Sequence, residues 1–338
     1  MLHKLLFMIK TMLTMNWRAM LKKVQVVHKR TGKPTAGILI DMLRCGTRYG
    51  AGYMDYTVLE FYCLTPTQRD TFMTRGRSNQ LVRALNNRDY WHIFENKVEF
   101  LTRFAEYIGR EWLDLSQVTE QEFTRFCADK AQVMVKPTDG DGGKGVERIE
   151  LAQYPDRAGL YHALRANGQT LCEQVVVQHP ALSAIYPQSV NTLRVVTVVN
   201  DSGGVDVTRC LIRIGAGGVV DNISSGGMAA LIDPATGEII RPAHDKNGQS
   251  HQRHPITGAP IVGVTIPMFE AVLTLARRAA LEVPEIRYCA WDIAVCENGP
   301  LFIEGNQYPG HEIQQLPPHC DDNTGIWPVY KKYLGSLA

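Results

Sequence analysis

Residues 292 to 306 constrain this chain more than any other stretch. They read Asp292-Ile293-Ala294-Val295-Cys296-Glu297-Asn298-Gly299-Pro300-Leu301-Phe302-Ile303-Glu304-Gly305-Asn306. Two apolar runs flank Glu297-Asn298-Gly299, the pattern of a β-hairpin. Side chains two apart on a strand share a face, so Glu304 and Asn306 point the same way. The hairpin folds Asp292 back beside them. The result is a cluster of hard oxygen donors suited to Mg²⁺, which commonly fills its remaining shell with water and nucleotide phosphate. Such a hairpin calls for a phosphate-binding element elsewhere in the chain.

That element is expected after Val133-Met134-Val135-Lys136, a short apolar strand ending in a lysine. It continues as Thr138-Asp139-Gly140-Asp141-Gly142-Gly143-Lys144-Gly145. Gly140, Gly142, Gly143 and Gly145 let the backbone approach phosphate oxygens and turn N–H groups toward them. Lys136 and Lys144 add positive charge. The loop is neither a Walker A motif nor a dinucleotide fingerprint. Alone it is an ordinary glycine-rich turn; together with the acidic hairpin it reads as a nucleotide phosphate loop.

The 338 residues leave room for roughly two or three modest domains. A hydrophobic content of 45% and a charged content of 21% fit a globular protein, and a net charge of +2 makes no case for nucleic acid. Eight cysteines are scattered without a C-x-x-C pair. With no recognisable secretory leader, this predicts reduced thiols and a cytoplasmic location. No apolar run reaches the roughly 18–20 residues of a membrane span. The first 40 residues carry Lys4, Lys10, Arg18, Lys22, Lys23, Lys29, Arg30 and Lys33 and no acid, interleaved with Leu5, Ile9, Met12, Met20 and other apolar residues. A basic amphipathic helix is expected. It either contacts the anionic inner face of a membrane through residues 1 to 30 or packs on the body of the protein; packing is the expected outcome.

Helices are expected at 66 to 87, 95 to 110, 157 to 167 and 267 to 282, with another opened by the capping-box pair Thr119 and Glu122. Residues 55 to 62 stay open between a strand and an aromatic helix. Strands are expected at 133–136, 146–151, 172–177, 193–199 and 205–213, the last two forming a hairpin around Asn200-Asp201-Ser202-Gly203-Gly204. His244, His251 and His254 lack the partners for a tetrahedral zinc set and are expected on a substrate-facing loop.

The order of these features resembles the ATP-grasp superfamily, whose members use ATP to activate a carboxylate and join it to an amine. Asn191-Thr192-Leu193-Arg194, Asp221-Asn222-Ile223-Ser224-Ser225-Gly226-Gly227 and Trp291-Asp292-Ile293-Ala294 carry a closer resemblance, to the sugar-transfer-associated ATP-grasp family, also labelled α-L-glutamate-ligase-related. The resemblance covers roughly residues 50 to 315. It implies an α+β, ATP-grasp fold with two α+β subdomains clamping ATP, preceded by a smaller helical or mixed region. The boundaries expected are 1–90 for the N-terminal region, 91–178 for the lid subdomain with the glycine loop, and 179–338 for the large subdomain.

The resemblance also implies roles. Lys97 and Lys136 match lysines that contact nucleotide phosphate, and Lys136 also reaches adenine. Glu173, Gln174 and Val175 match the segment that hydrogen-bonds adenine, much of it through backbone, with Val175 and Val177 as walls. Ribose is usually held by an acidic residue just beyond; the local residues here are Gln178 and His179. Arg194 and Arg213 resemble the arginines that steady the migrating phosphoryl group, and Asn222 the loop asparagine near the γ-phosphate. Asp292, Glu304 and Asn306 match the ligands of one or two Mg²⁺ ions. Gln307, His311, Glu312 and Gln314 are expected near the acceptor. The implied activity is an ATP-dependent carboxylate–amine ligase working through an acyl phosphate, on small-molecule, peptide or sugar-linked substrates. Two alternatives are a phosphotransferase on the same fold and a nucleotide-binding module without turnover at a membrane surface.

Overall fold

The computed structural model describes residues 16 to 140 and 143 to 337. Gly142 and the basic residues before position 16 lie outside the described residues. The chain divides into two units, Met1–Ala84 with Gly310–Ala338, and Leu85–Pro309.

In the first unit, Asn16 opens helix Trp17–Thr31 by accepting from the Ala19 N–H, and Gly32 ends it in the left-handed conformation. The helix buries Met20, Val24 and Val27, and helix Thr35–Tyr49 buries Ile38, Met42, Cys45 and Tyr49. Both stripes join one core with Tyr56, Phe61 and Phe72. Residues 55 to 62 are not a strand. They form helix Tyr53–Val58 and a 3₁₀ turn Phe61–Cys63, with Glu60 at φ +51 between them. The expected helix over 66 to 87 is two: Pro66–Asp70, opened by a Thr65–Gln68 capping box, and Arg75–Leu85. Buried Asp55 ties the unit together. Its Oδ2 accepts from the Gly52 and Arg75 N–H groups, and its Oδ1 lies 2.7 Å from His311 Nε2.

The second unit contains two antiparallel sheets. The smaller has the order β1 (Trp112–Asp114), β4 (Leu171–Gln174), β2 (Gln132–Lys136), β3 (Glu147–Glu150). Val133 and Val135 face a core with Phe123, Leu160 and Leu164, brought by helices Glu120–Phe126 and Arg157–Ala166. The opposite face of β2 therefore presents Met134 and Lys136.

The larger sheet has the order β11 (Gly299–Asn306), β10 (Tyr288–Cys296), β5 (Leu193–Val199), β6 (Val205–Ile214), β7 (Met228–Ile232), β8 (Ala243–Asp245), β9 (Ser250–His251). Helix Phe269–Ala279 buries Phe269, Val272, Leu273 and Ala276 in the core beneath it; each such aliphatic contributes about 1.5–3 kcal/mol. The helix expected over 95 to 110 breaks into His92–Glu95, Lys97–Arg103 and Ala105–Ile108. Asn96 caps the second piece by accepting from the Val98 and Glu99 N–H groups. Phe104 interrupts the run because its buried ring packs against Phe94, Phe100 and Trp291. Gly109, at φ +59, stops it. The strand expected over 172–177 ends at Gln174, and Val177 beyond it is 77% exposed. Among the described residues no helix is long and apolar enough to cross a membrane, and the eight cysteines are free.

Candidate active site

Met134 pairs with Glu173 across β2 and β4, and Lys136 lies two residues further on the same face. Lys136 Nζ is 2.6 Å from Glu173 Oε2, and Arg110 NH2 is 2.8 Å from Oε1. Burial alone would raise the Glu173 carboxyl, but Arg110 and Lys136 outweigh it and hold it down to about 2. One carboxylate thus faces two cations, and the triad keeps a surplus positive charge. Lys97, at the start of its helix, donates to the Gly140 carbonyl at 2.8 Å and so holds the rim of the glycine loop. Gly143, at φ +75, passes so close to Val220 that a Cβ there would lie 3.2 Å from it.

A second ionic network crosses the large sheet. Asp292 pairs with Arg194 of β5 on one side and with Glu304 of β11 on the other, so the three form a row across adjacent strands. A bulge follows immediately between Asp292 and Ile293. Arg194 Nε donates to Asp292 Oδ1 at 2.8 Å and its NH2 to Oδ2 at 2.7 Å. Arg213 NH1 donates to the same Oδ2 at 2.7 Å, and its NH2 donates to Asp221. Asp221 in turn accepts from the Thr192 N–H at 3.0 Å and from its hydroxyl. Burial would raise the Asp292 carboxyl, but Arg194 and Arg213 hold it low. Glu304 is pushed the other way, by burial and by the charge on Asp292 beside it. A cation beside Glu304 would relieve the same repulsion.

Two chambers meet here. The first, about 340 Å³, is walled by Met134, Val146, Val175, Val177 and Pro187 and reached by Glu173, Gln174 and Arg213. The second, about 460 Å³, is lined by Trp91, Phe100, Arg194, Asn306, Gln307 and Tyr308. Lys97, Lys136, Gly140, Asn222, Ile303 and Glu304 belong to both. Of the residues expected at phosphate and metal, Lys97, Lys136, Gly140, Asn222 and Glu304 gather at this junction, and Asn306 lines the second chamber alone. Asp292 lines neither chamber; it is fully buried behind Arg194 and Arg213. Gly143 lines the first chamber and Gly145 does not.

Other expectations part from the geometry. His179 is outside both chambers. Its Nδ1 accepts from the Ala181 N–H and caps helix Pro180–Ser183. Gln178 reaches the first chamber but its amide is spent on Tyr186, Ser189 and Asn191. His254 is buried, bonded to the Gly215 carbonyl at 2.8 Å and stacked on Tyr186, a structural role. His311, Glu312 and Gln314 belong to the first unit. There Asp55, His311 and Glu312 approach one another closely enough to share an ion. The backbone N–H groups on Asp55 and the approach of Arg75 to Glu312 at 3.8 Å make the group an ion-pair clamp.

Arg110 and Asp221 are the functional neighbours that sequence reasoning missed. A buried Glu173 facing one lysine is a signal that a second cation was due; nothing in the sequence near Arg110 names it. Asp221 stood in the motif beside Asn222 without a role. Gly227 explains the tight turn after it, since a Cβ there would lie 2.2 Å from the Asp221 carbonyl oxygen.

The Mg²⁺ ligand set can be tested against these residues. Glu304 and Asn306 offer hard oxygens to the second chamber. Asn306 would ligate through Oδ1, while its buried Nδ2, without a hydrogen-bond partner among the described residues, is a donor left for a phosphate or water oxygen. Both Asp292 oxygens accept from Arg194 or Arg213 and the carboxylate also hydrogen-bonds Glu304, so the oxygens turned to the chamber are those of Glu304 and Asn306. The donor set fits a hard divalent ion.

No curated protein matches the chain. Among solved structures it is similar to the ATP-grasp ligase PsnB complexed with minimal precursor, at 12% identity over 74% of this chain and 63% of that one, with a TM-score of 0.44. It is also similar to the D-cycloserine synthetase DcsG, at 13% identity over 76% and 80%, TM-score 0.43. A third similar structure is the D-alanyl-alanine synthetase A from Vibrio cholerae, at 11% identity over 72% and 61%, TM-score 0.40. The chain thus spans under two thirds of the length of the first and third of these. Residues 151–320, half of the chain, match the model of the sugar-transfer associated ATP-grasp family, and the chain belongs to that family.

Proposed function

We propose that this protein is an ATP-dependent carboxylate–amine ligase. The observation that carries the reading is the junction itself: Lys97, Lys136, Asn222 and Glu304 line both chambers at once. A phosphate chain entering from the first chamber would meet a substrate entering from the second at these residues. Met134, Val175 and Val177 provide apolar walls for a base in the first chamber. Lys97, Lys136 and the N–H groups near Gly140 and Gly143 neutralise α- and β-phosphate. Arg213 on the first chamber and Arg194 on the second flank the point of transfer. Glu304 and Asn306, with Asp292 behind them, would hold Mg²⁺, which supplies charge neutralisation and orientation to the phosphates.

In the reaction, a substrate carboxylate oxygen attacks the γ-phosphorus and the bond to the β-phosphate oxygen breaks. ADP and an acyl phosphate result. An amine then attacks the acyl carbon, phosphate leaves, and the amine gives up a proton. Phosphoryl transfer is mainly positioning and charge stabilisation, which is what two lysines and two arginines around one junction offer. The test is an ADP-release screen across carboxylates and amines, with hydroxylamine as trap. A hydroxamate formed from carboxylate and ATP without amine supports the ligase. A stable phosphoester on a hydroxyl substrate selects the phosphotransferase, and ATP binding with no turnover on any substrate selects the binding module.

A further inference from the structure

Helix Trp17–Thr31 uses one face for packing and presents a different chemistry on the other. Met20, Val24 and Val27 are buried. The adjoining arc carries Leu21 (48% exposed) and Trp17 (42% exposed), followed by exposed Arg18, Lys22 and Lys29. At 100° per residue these five positions fall within one side of the helix. Arg18, Lys22 and Lys29 form no ion pair among the described residues, whereas Arg30 and Lys33 donate to Tyr62. The chain has no acid before Asp41, and Asp41 is taken up by a bidentate pair with Arg69 and a hydrogen bond from Tyr56. The next helix adds exposed Ile40, Arg44 and Arg48. Packing and surface contact are therefore not competing fates of this helix, because different faces serve them.

We infer that the outward face of helix Trp17–Thr31 is a docking surface for an anionic phospholipid bilayer. Three cations with no acid beside them complement a negatively charged leaflet, and Leu21 and Trp17 are placed to enter the headgroup region at the edge of the cationic stripe. A purely solvated face would not need Leu21 and Trp17 at its border. No residue of this surface lines either chamber of the nucleotide junction.

The experiment is vesicle co-sedimentation of the full chain at low and high salt. Vesicles are phosphatidylcholine alone or phosphatidylcholine with phosphatidylserine. Binding to the anionic vesicles only, weakened by salt, is expected. Each surface-near cation is worth about fivefold in binding. R18E/K22E/K29E should therefore lose on the order of 100-fold, and Leu21→Ser should weaken binding a few-fold. The neutral variant R18Q/K22Q/K29Q guards against misfolding of the charge-reversed one, and an unchanged melting temperature of each variant shows that the packed face is intact. Equal binding to both vesicle types, no binding, or unchanged binding by a folded variant overturns the inference. Binding to an RNA homopolymer but not to vesicles overturns it too and makes the face a polyanion site.

Discussion

The two ionic clusters of the second unit are built from the same residue types and balanced differently. Arg110, Glu173 and Lys136 set two cations against one carboxylate. Arg194, Arg213, Asp221 and Asp292 set two against two, with Glu304 added beside Asp292. The first cluster keeps a positive surplus, which suits a polyanion. The second is balanced until Glu304 ionises, and then holds one negative charge too many, which suits a cation. Burial opposes ionisation in both, yet it wins only at Glu304, where the nearest charge is another carboxylate. What each cluster can bind follows from the sign of its residual charge.

Substitutions at the second cluster should break this comparison most forcefully. Glu304→Gln should lower ATP turnover on the order of 10³-fold, since charge stabilisation of phosphoryl transfer is lost. The fold should survive, because Gln keeps the shape and removes a carboxyl that is costly to ionise there. The sign can be checked by titration. A carboxyl raised in the native state loses its stabilising contribution as pH rises from about 4.5, so the wild type should lose stability over that window relative to E304Q. Asp292→Ala should differ sharply. It takes the bidentate partner from Arg194 and one of two carboxylates from buried Arg213, which keeps Asp221, and should cost about 3 kcal/mol in denaturant unfolding. Equal destabilisation by the two substitutions would mean that they do not differ in charge balance.

At the first cluster the effects should be smaller and shift from turnover to affinity. Lys136→Ala leaves Arg110 to hold Glu173 and removes the surplus charge. Nucleotide affinity measured by calorimetry should fall by about 2 kcal/mol, roughly 30-fold. The pH dependence runs opposite to that of Glu304. A carboxyl held down to about 2 contributes stability that is present above its unfolded value near 4.5 and lost as pH falls toward 2. Acid unfolding of Glu173→Gln should therefore be shallower over that range than that of the wild type.

Asp221→Asn is expected to be milder still. It keeps the hydrogen bonds from Thr192 and loosens Arg213, so kcat should fall about tenfold while the KM for ATP stays near the wild-type value. Asp221 also lines the first chamber, so a fall in affinity alone would mean that it acts on the nucleotide rather than through Arg213.

The hairpin of β10 and β11 was legible because alternation and turn residues are local signals. The pairing of Asp292 with Glu304 followed from them directly. The Thr119–Glu122 capping box was legible for the same reason. What could not be read depends on distance in sequence. Arg110 meets Glu173 across 63 residues, and Arg213 meets Asp292 across 79. The breaks at Asn96 and Phe104 depend on a cap and on an aromatic cluster assembled from β10 and β11. His311 and Glu312 follow Asn306 closely in sequence, but Gly310 begins the segment that groups with the first unit.

His179 offers the smallest effect and the sharpest test of where family analogy stops. The segment after β4 is where such proteins usually place a ribose ligand, and His179 is the titratable residue available there. Its ring Nδ1 instead accepts from the Ala181 N–H, and the backbone N–H of His179 donates to the Val295 carbonyl at 2.7 Å. Both contacts fix the turn into helix Pro180–Ser183. Removing the cap by His179→Ala should cost about 0.5–1 kcal/mol of stability. Nucleotide affinity should change by less than about twofold, since 0.4 kcal/mol is the most that an indirect shift of this turn would transmit. A tenfold loss of ATP affinity at unchanged melting temperature would show that the imidazole leaves its cap for the ribose.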